Sequence, residues 1–306
     1  VIDDPVAWLP LRFIHGASHT ALMTVAEFWL NAITPDNRRG RMMGLLGTVL
    51  SLGFATGPIV LSITGFEGSA PFMVGVGLML TAAVPLAIGM MVGLPSLDLP
   101  KEERPDGIFK LVRTAPVAIF AALVFGAYET AMFNLLPVYG VRSGLSASEG
   151  AIMLTAMGIG NILLLVPVGI LADKFDRHKV LLFCTAVAAI SGVLLPFTIH
   201  SPWAYLPLLC AGMGIISGLY TVGLALLGAR FTGNALVNAN AGFIMLYAIG
   251  TLVAPPISGL SMDLAGPNGL PAFLALMMTA YLILILVRMR RKSPPNTAKS
   301  DGSAQV

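Results

Sequence analysis

Nine runs of predominantly apolar residues follow one another along the chain with only short loops between them, and each reaches the roughly 20 residues that a helix needs to cross a bilayer. Nothing else constrains the fold as strongly. Inside a membrane the backbone N–H and C=O groups find no water to bond, so an apolar run of this length satisfies them as a helix. The runs cover residues 6–33, 41–63, 70–94, 115–139, 148–172, 179–199, 203–228, 238–261 and 270–289. Charged side chains make up only 11% of the 306 residues and hydrophobic ones 56%, with a mean hydropathy of +0.85, against the roughly 25% charged typical of soluble domains. That is too little polar surface for a soluble enzyme, a disordered protein or a secreted disulfide scaffold. Cys184 and Cys210 both sit in apolar runs and read as small hydrophobes, with no CxxC or Cys/His spacing to suggest zinc or redox chemistry. The expectation is an all-α polytopic membrane protein without metal or cofactor.

The net charge of +3 and pI of about 9.0 raise the question of nucleic acid, and the placement of the charges answers it. Arg38, Arg39 and Arg41 follow the first run, Lys101, Arg104, Lys110 and Arg113 the third, and Lys174, Arg177 and Lys179 the fifth. Arg230 follows the seventh, and Arg288, Arg290, Arg291, Lys292 and Lys299 the ninth, while the alternate loops hold only Arg142. Charge spread over every second loop is a topology signal and not a binding face. By the positive-inside rule those five regions are expected to be cytoplasmic, as is the C-terminus, in a multi-pass inner (plasma) membrane protein. No nucleic-acid partner is expected. Residue 1 is Val, and the first charges are Asp3 and Asp4, so the basic start of a signal peptide is absent and further sequence is expected upstream.

One seam, Pro95 to Thr114, is longer and more charged than any other loop and divides three spans from six. The expected organisation is residues 1–94, a 95–114 central loop, residues 115–292 as a six-helix unit, and a disordered 293–306 tail rich in Pro, Ser, Asn and Lys. An internal repeat supports this division. Gly53-Phe-Ala-Thr-Gly57-Pro58 in the second span has a counterpart 197 positions later, Gly250-Thr-Leu-Val-Ala254-Pro255 in the eighth, and the same offset relates Asn37 to Asn234. A six-helix repeat produces this register, and repeated halves are common in membrane transporters.

Together these features resemble the major facilitator superfamily, whose twelve helices form two six-helix halves around a central cavity. Gly169-Ile-Leu-Ala-Asp173-Lys174-Phe-Asp-Arg177-His-Lys179 looks like the family's G-x-x-x-D-R/K-x-G-R-x-R/K loop, departing at Asp176, where the family has Gly. Arg12-Phe-Ile-His-Gly16 resembles the R-x-x-x-G element of the family's fourth helix, and Arg38-Arg39-Gly40-Arg41 the basic loop after it. Gly53 to Pro58 is similar to the start of the G-x-x-x-G-P element of the fifth helix, associated with proton-driven exporters, with Leu61 and Ser62 in place of its terminal Gly pair. The resemblance implies helices 4 to 12 of a 6+6 twelve-helix transporter, with the first three absent, and is strongest to the YcaD-like bacterial branch.

Charges inside a span cost about 2.5–3.5 kcal/mol each on insertion scales, so they normally face a cavity or a partner. Arg12, His15 and His19 share a helical face at i, i+3, i+7 spacing and are expected to line a polar pathway, with interfacial snorkelling the alternative for Arg12. Glu27 lies too far along the helix from Arg12 to pair with it, about 22 Å at 1.5 Å per residue. It either closes a network near the cytoplasmic end or titrates alone. Glu129, mid-span between Tyr128 and Thr130, is expected to bind and release a proton as the cavity alternates. Asn134, Asn161, Tyr220, Asn240 and Tyr247 read as ordinary interhelical hydrogen-bonding residues. Asp173 and Arg177, within Gly169 to Lys179, are expected to hold one face of the molecule closed. Gly53, Gly57, Pro58, Gly250 and Pro255 are expected to let helices approach and bend.

The expected function is a monomeric secondary transporter moving a small solute by alternating access, by proton-coupled efflux, with the lipid bilayer and protons as partners. No Walker A phosphate loop is present in the sequence to supply ATP energy. The alternatives are a polytopic enzyme acting on lipid, for which no G-x-S-x-G or H-E-x-x-H is found, and a nonfunctional transporter remnant.

Overall fold

A computed structural model describes residues 5–64, 69–92 and 108–292, with only the backbone described at 5–9, 12, 54–64, 71, 86, 89, 90, 92, 108–110, 147, 291 and 292. Helices α1 (Pro5–Ile33), α2 (Arg39–Thr64) and α3 (Ala70–Val92) come first, with a one-turn 3-10 helix, Asp36–Arg38, joining α1 to α2. A short α4 (Ile108–Thr114) leads into α5 (Pro116–Arg142), α6 (Ala147–Lys174) and α7 (Arg177–Thr198). The chain then forms α8 (Pro202–Ile216), α9 (Gly218–Arg230), α10 (Gly233–Ala265) and α11 (Gly269–Lys292). Each of the nine expected spans corresponds to a helix, except that α8 and α9 share one. They meet at Ser217, whose hydroxyl donates to the Met213 carbonyl at 2.9 Å, and a Ser-Gly pair is a known site of helix breaks.

Among the described residues six helices are long and apolar enough to cross a membrane: α5, α6, α7, the α8–α9 pair, α10 and α11. Their outer faces carry large apolar side chains such as Phe197, Trp203, Leu252 and Leu276 in the open, a surface that hydrocarbon solvates and water does not. The interior is packed from Tyr139, Met153, Leu181, Tyr205, Met213 and Leu219. Helix ends are set locally. Ser146 caps α6 with a reciprocal box to Glu149, Asp176 caps α7 by accepting from the N–H groups of His178 and Lys179, and Gly266 at φ 69° ends α10 in a backbone conformation that a side chain disfavours.

Between the first three helices and the rest, the tightest seam is α2 against α6. Cβ atoms at Gly40 and Gly169 would each collide with the other helix's backbone, and one at Gly44 would lie 2.7 Å from the Leu165 carbonyl. Helix α1 lies against α9 and α10. The repeat positions behave unequally. Gly250 presses on the α5 backbone at the Leu123 carbonyl, whereas a Cβ at Gly53 would meet nothing within 4 Å among the described residues. Among the described residues the close approach of α2 to α6 is made by Gly40, Gly44 and Gly47. Pro255 lies within α10, followed by Pro256, without ending the helix. The packing of Gly57 and Pro58 lies outside what is described, as do the tail 293–306 and most of the expected central loop, whose final residues form α4.

Candidate functional site

Two polar assemblies join α1 and α2 to the six-span unit. The first sits at the end of the molecule that carries the basic loops. Asp173, in the last turn of α6, accepts from the N–H groups of Gly40 at 2.6 Å and Arg41 at 2.8 Å. The first N–H groups of a helix have no partner within it and carry the positive end of its dipole, so the carboxylate caps α2 from another helix. This cap requires Gly169 and Gly40 to touch, since any side chain at either would push the helices apart.

Beside it, Asp36 Oδ1 receives two arginines, Arg39 at 2.7 Å and Arg177 at 2.9 Å. Arg177 also donates to the backbone carbonyl of Asp36 at 2.7 Å and to that of Ala225 at 3.3 Å, which ties α7 and α9 to the α1–α2 connection. Arg39 donates to the carbonyls of Asn31 at 3.2 Å and Thr34 at 3.1 Å, satisfying the end of α1. Lys174 and Lys179 project outward and exposed. Asp176, the departure from the family loop, holds the first turn of α7 at 2.9 and 3.1 Å, so the position is used as a helix cap. Deeper along the same seam, Asn161 of α6 donates to the Ser51 hydroxyl of α2 at 3.0 Å. At this end the start of α2 and the α1–α2 connection are thus bonded to α6 and α7, and through Arg177 to α9.

The second assembly lies in the span interior. Glu27 of α1 is fully buried and accepts a hydrogen bond from the Tyr220 hydroxyl of α9. Glu129 of α5 accepts from the Tyr247 hydroxyl of α10 at 2.7 Å. The two tyrosine rings meet edge to face, centroids 5.5 Å apart, with Phe243 5.1 Å from Tyr220 and Phe125 6.1 Å from Tyr247. Two carboxyl groups, one on α1 and one on α5, are thereby linked through one aromatic cluster. Asn31, one turn beyond Glu27, donates to the Leu224 carbonyl at 2.9 Å. Glu27 Oε2, Asn31 Oδ1 and both amide atoms of Asn240 are buried with no partner among the described residues.

Of the expected pathway residues, the structure brings Glu27 and Glu129 into this cluster and leaves two others outside it. His15 and His19 are exposed on α1, their rings stacked at 6.4 Å, and the Arg12 side chain lies outside the described residues. Glu27 neither stands alone nor joins the Asp36 network. Tyr220 and Tyr247, read from sequence as ordinary polar contacts, are the carboxyl partners. Asp36, Asn31 and Gly228 had no sequence signal at all, because Asn31 and Gly228 meet only through packing.

The Major Facilitator Superfamily pattern matches the chain twice, over residues 2–158 and 143–305, in keeping with a repeated architecture. The chain is similar to the uncharacterized MFS-type transporter YfkF of Bacillus subtilis, 28% identical over 96% of this chain and 76% of that protein. It also resembles YcaD of Escherichia fergusonii, 24% identical over 94% and 74%. Among solved structures, the transporter FucP in the outward conformation shares the fold at a TM-score of 0.65 and 18% identity, over 86% of this chain and 72% of that one. Such relatives are transporters, which sets aside the lipid-acting enzyme. A charged seam joining α1 and α2 to the six-span unit, a buried carboxyl group of α1 bonded to α9 and, above all, a family match along nearly the whole sequence place this multi-pass chain in the Major Facilitator Superfamily of secondary transporters.

Proposed function

We propose that this chain moves a small solute across the bacterial inner membrane by alternating access, with protons moving through Glu27 and Glu129 in the opposite direction, so that the net action is efflux. The observation that carries the reading is the seam of Asp36, Arg39, Asp173 and Arg177 together with Glu27, fully buried where α1 meets α9, and the half-buried Glu129 behind it within the six-span unit. Contacts that cap and pair across two units at one end suit a gate, because breaking them exposes only groups that water can satisfy. The positive-inside rule makes that end cytoplasmic, so the arrangement corresponds to an outward-facing state, and the solved relative of the same fold was itself captured in an outward conformation. Proton coupling is supported by a fucose:proton symporter of the same fold and by carboxyl groups that the hydrocarbon would otherwise exclude. The G-x-x-x-G-P-like element of α2 supports the efflux direction.

The test is proteoliposomes containing an internal pH dye, challenged with amphipathic cations, neutral sugars and organic anions. A solute that drives proton movement in purified protein, and not in empty vesicles, is the expected result. Glu129→Gln should abolish uphill proton-coupled flux while leaving solute exchange intact. Uphill transport at the wild-type rate in that variant removes Glu129 from the mechanism, and silence across the panel in well-folded protein favours a remnant.

A further inference from the structure

Tyr220 stands apart from the other polar side chains of the interior because its hydroxyl crosses between the two units. The Tyr247–Glu129 bond joins α10 to α5 inside the six-span unit, whereas the Tyr220–Glu27 bond joins α9 to α1. Opening the basic end by separating α1 and α2 from α6 and α9 must break the second bond and can leave the first intact. We propose that Tyr220 is the residue that ties proton occupancy of Glu27 to closure of the basic end. This rests on the alternating-access reading above and adds the residue that carries the coupling.

The proton accounting runs through named atoms. With Glu27 ionised, the Tyr220 hydroxyl donates to a carboxylate, a bond about twice as strong as one between neutral groups, and it draws α1 onto α9. When Glu27 takes up a proton, its carboxyl becomes a donor as well. Asn31 lies one turn away on the same face with its Oδ1 unpartnered, and Glu27 Oε2 is likewise without a partner, so an acceptor already stands within the same helix. The Tyr220 hydroxyl is then left donating to a weaker, neutral acceptor, and the cross-unit bond no longer favours closure. Asn240, on the face of α10 that also carries Phe243 and Tyr247, adds two further unpartnered amide atoms at this level. Unmet polar groups concentrated here mark an interface built to come apart and be wetted.

The groups facing Glu27 are Tyr220 from α9 and Tyr247 from α10, with Glu129 of α5 behind them through the ring contact. From α2 comes Arg39, whose guanidinium is turned to Asp36, Thr34 and Asn31. His178, 3.8 Å from Asp176 at the basic end, is a further titratable group to control for.

The experiment places nitroxide labels at Arg38 and Lys174, exposed on opposite sides of the seam, in full-chain protein in proteoliposomes, and reads their separation by double electron–electron resonance from about pH 5 to about pH 9, bracketing neutrality. Wild type should shift from short to long separations as the pH falls. His178→Gln should keep that response. Glu27→Gln should give the long population at every pH, and Tyr220→Phe, which deletes one oxygen, should cut the pH-dependent change at least threefold while Tyr247→Phe retains it. A wild-type-like response in Tyr220→Phe overturns the proposal, as does a Glu27→Gln protein that still responds to pH. Solute-driven proton flux in the same vesicles separates the two ideas. Flux with a pH-insensitive seam overturns the interlock alone, and loss of both overturns the transport reading with it.

Discussion

At Gly160 the backbones of α6 and α8 approach so closely that a Cβ would run into the Cys210 carbonyl, while two residues earlier, at Gly158, the same atom would meet nothing within 4 Å. The pair isolates packing from propensity. Gly160→Ala should destabilise the protein by about 1–3 kcal/mol, as overpacking does, whereas Gly158→Ala should be neutral or stabilise by up to about 1 kcal/mol, because alanine loses less backbone freedom in a helix than glycine. Thermal unfolding in detergent of the two purified variants distinguishes them; equal behaviour would mean the α6–α8 contact is looser than described. Sequence alone lists both glycines without rank. The same blindness hid the Glu27–Tyr220 bond, whose partners are 193 residues apart, so that no local spacing announced it. Gly169, Asp173 and Arg177 stood out because they fall within one short loop motif, although the groups of Asp36, Gly40 and Arg41 that Asp173 and Arg177 meet lie 132 to 141 residues away and left no local trace.

Helices were the most readable level. A bilayer demands about 20 apolar residues of every span, and that demand leaves a signal in composition that no tertiary contact is needed to see. Several observed helices run longer than the apolar runs, α10 from Gly233 to Ala265 against an expected 238–261, because their ends continue into loops where polarity no longer tells helix from coil. The break at Ser217 and the short α4 were invisible for the related reason that neither alters hydropathy. Caps are where element stability can be probed. Ser146→Ala removes the side-chain acceptor for the Glu149 N–H and one half of the capping box, and should cost about 0.5–2 kcal/mol, read as a lower midpoint of thermal unfolding. Asp176→Asn should preserve the cap of α7 and Asp176→Ala should not, with a difference of about 1 kcal/mol. Equal stability of those two would show that the first turn of α7 is held by something other than Asp176.

Across the whole molecule, closure at the basic end is balanced against unmet polar groups in the interior. Each orphaned buried donor or acceptor costs about 1–3 kcal/mol, and Glu27, Asn31 and Asn240 all contribute, so the closed arrangement is not overwhelmingly favoured. Removing one contact of the seam should then tip it. Asp173→Ala strips the cap from α2, and a cysteine placed by Leu165→Cys, at a position now buried against Gly44 and Gly47, should react with a polar thiol reagent roughly tenfold faster, the change that about 1.4 kcal/mol produces. Unchanged labelling would show that glycine packing alone holds the seam. The two halves of this closure also differ in how they answer to dissolved ions. The Asp36 side chain that receives Arg177 is 66% exposed, so mobile counterions, which damp fields beyond about 8 Å at physiological ionic strength, compete for that pair. The Asp173 bonds to the first turn of α2 are short, directional and made to uncharged N–H groups. Raising salt should therefore slacken the arginine clasp and leave the carboxylate cap in place, making the resting balance of the transporter sensitive to the ionic composition of the compartment its basic face meets.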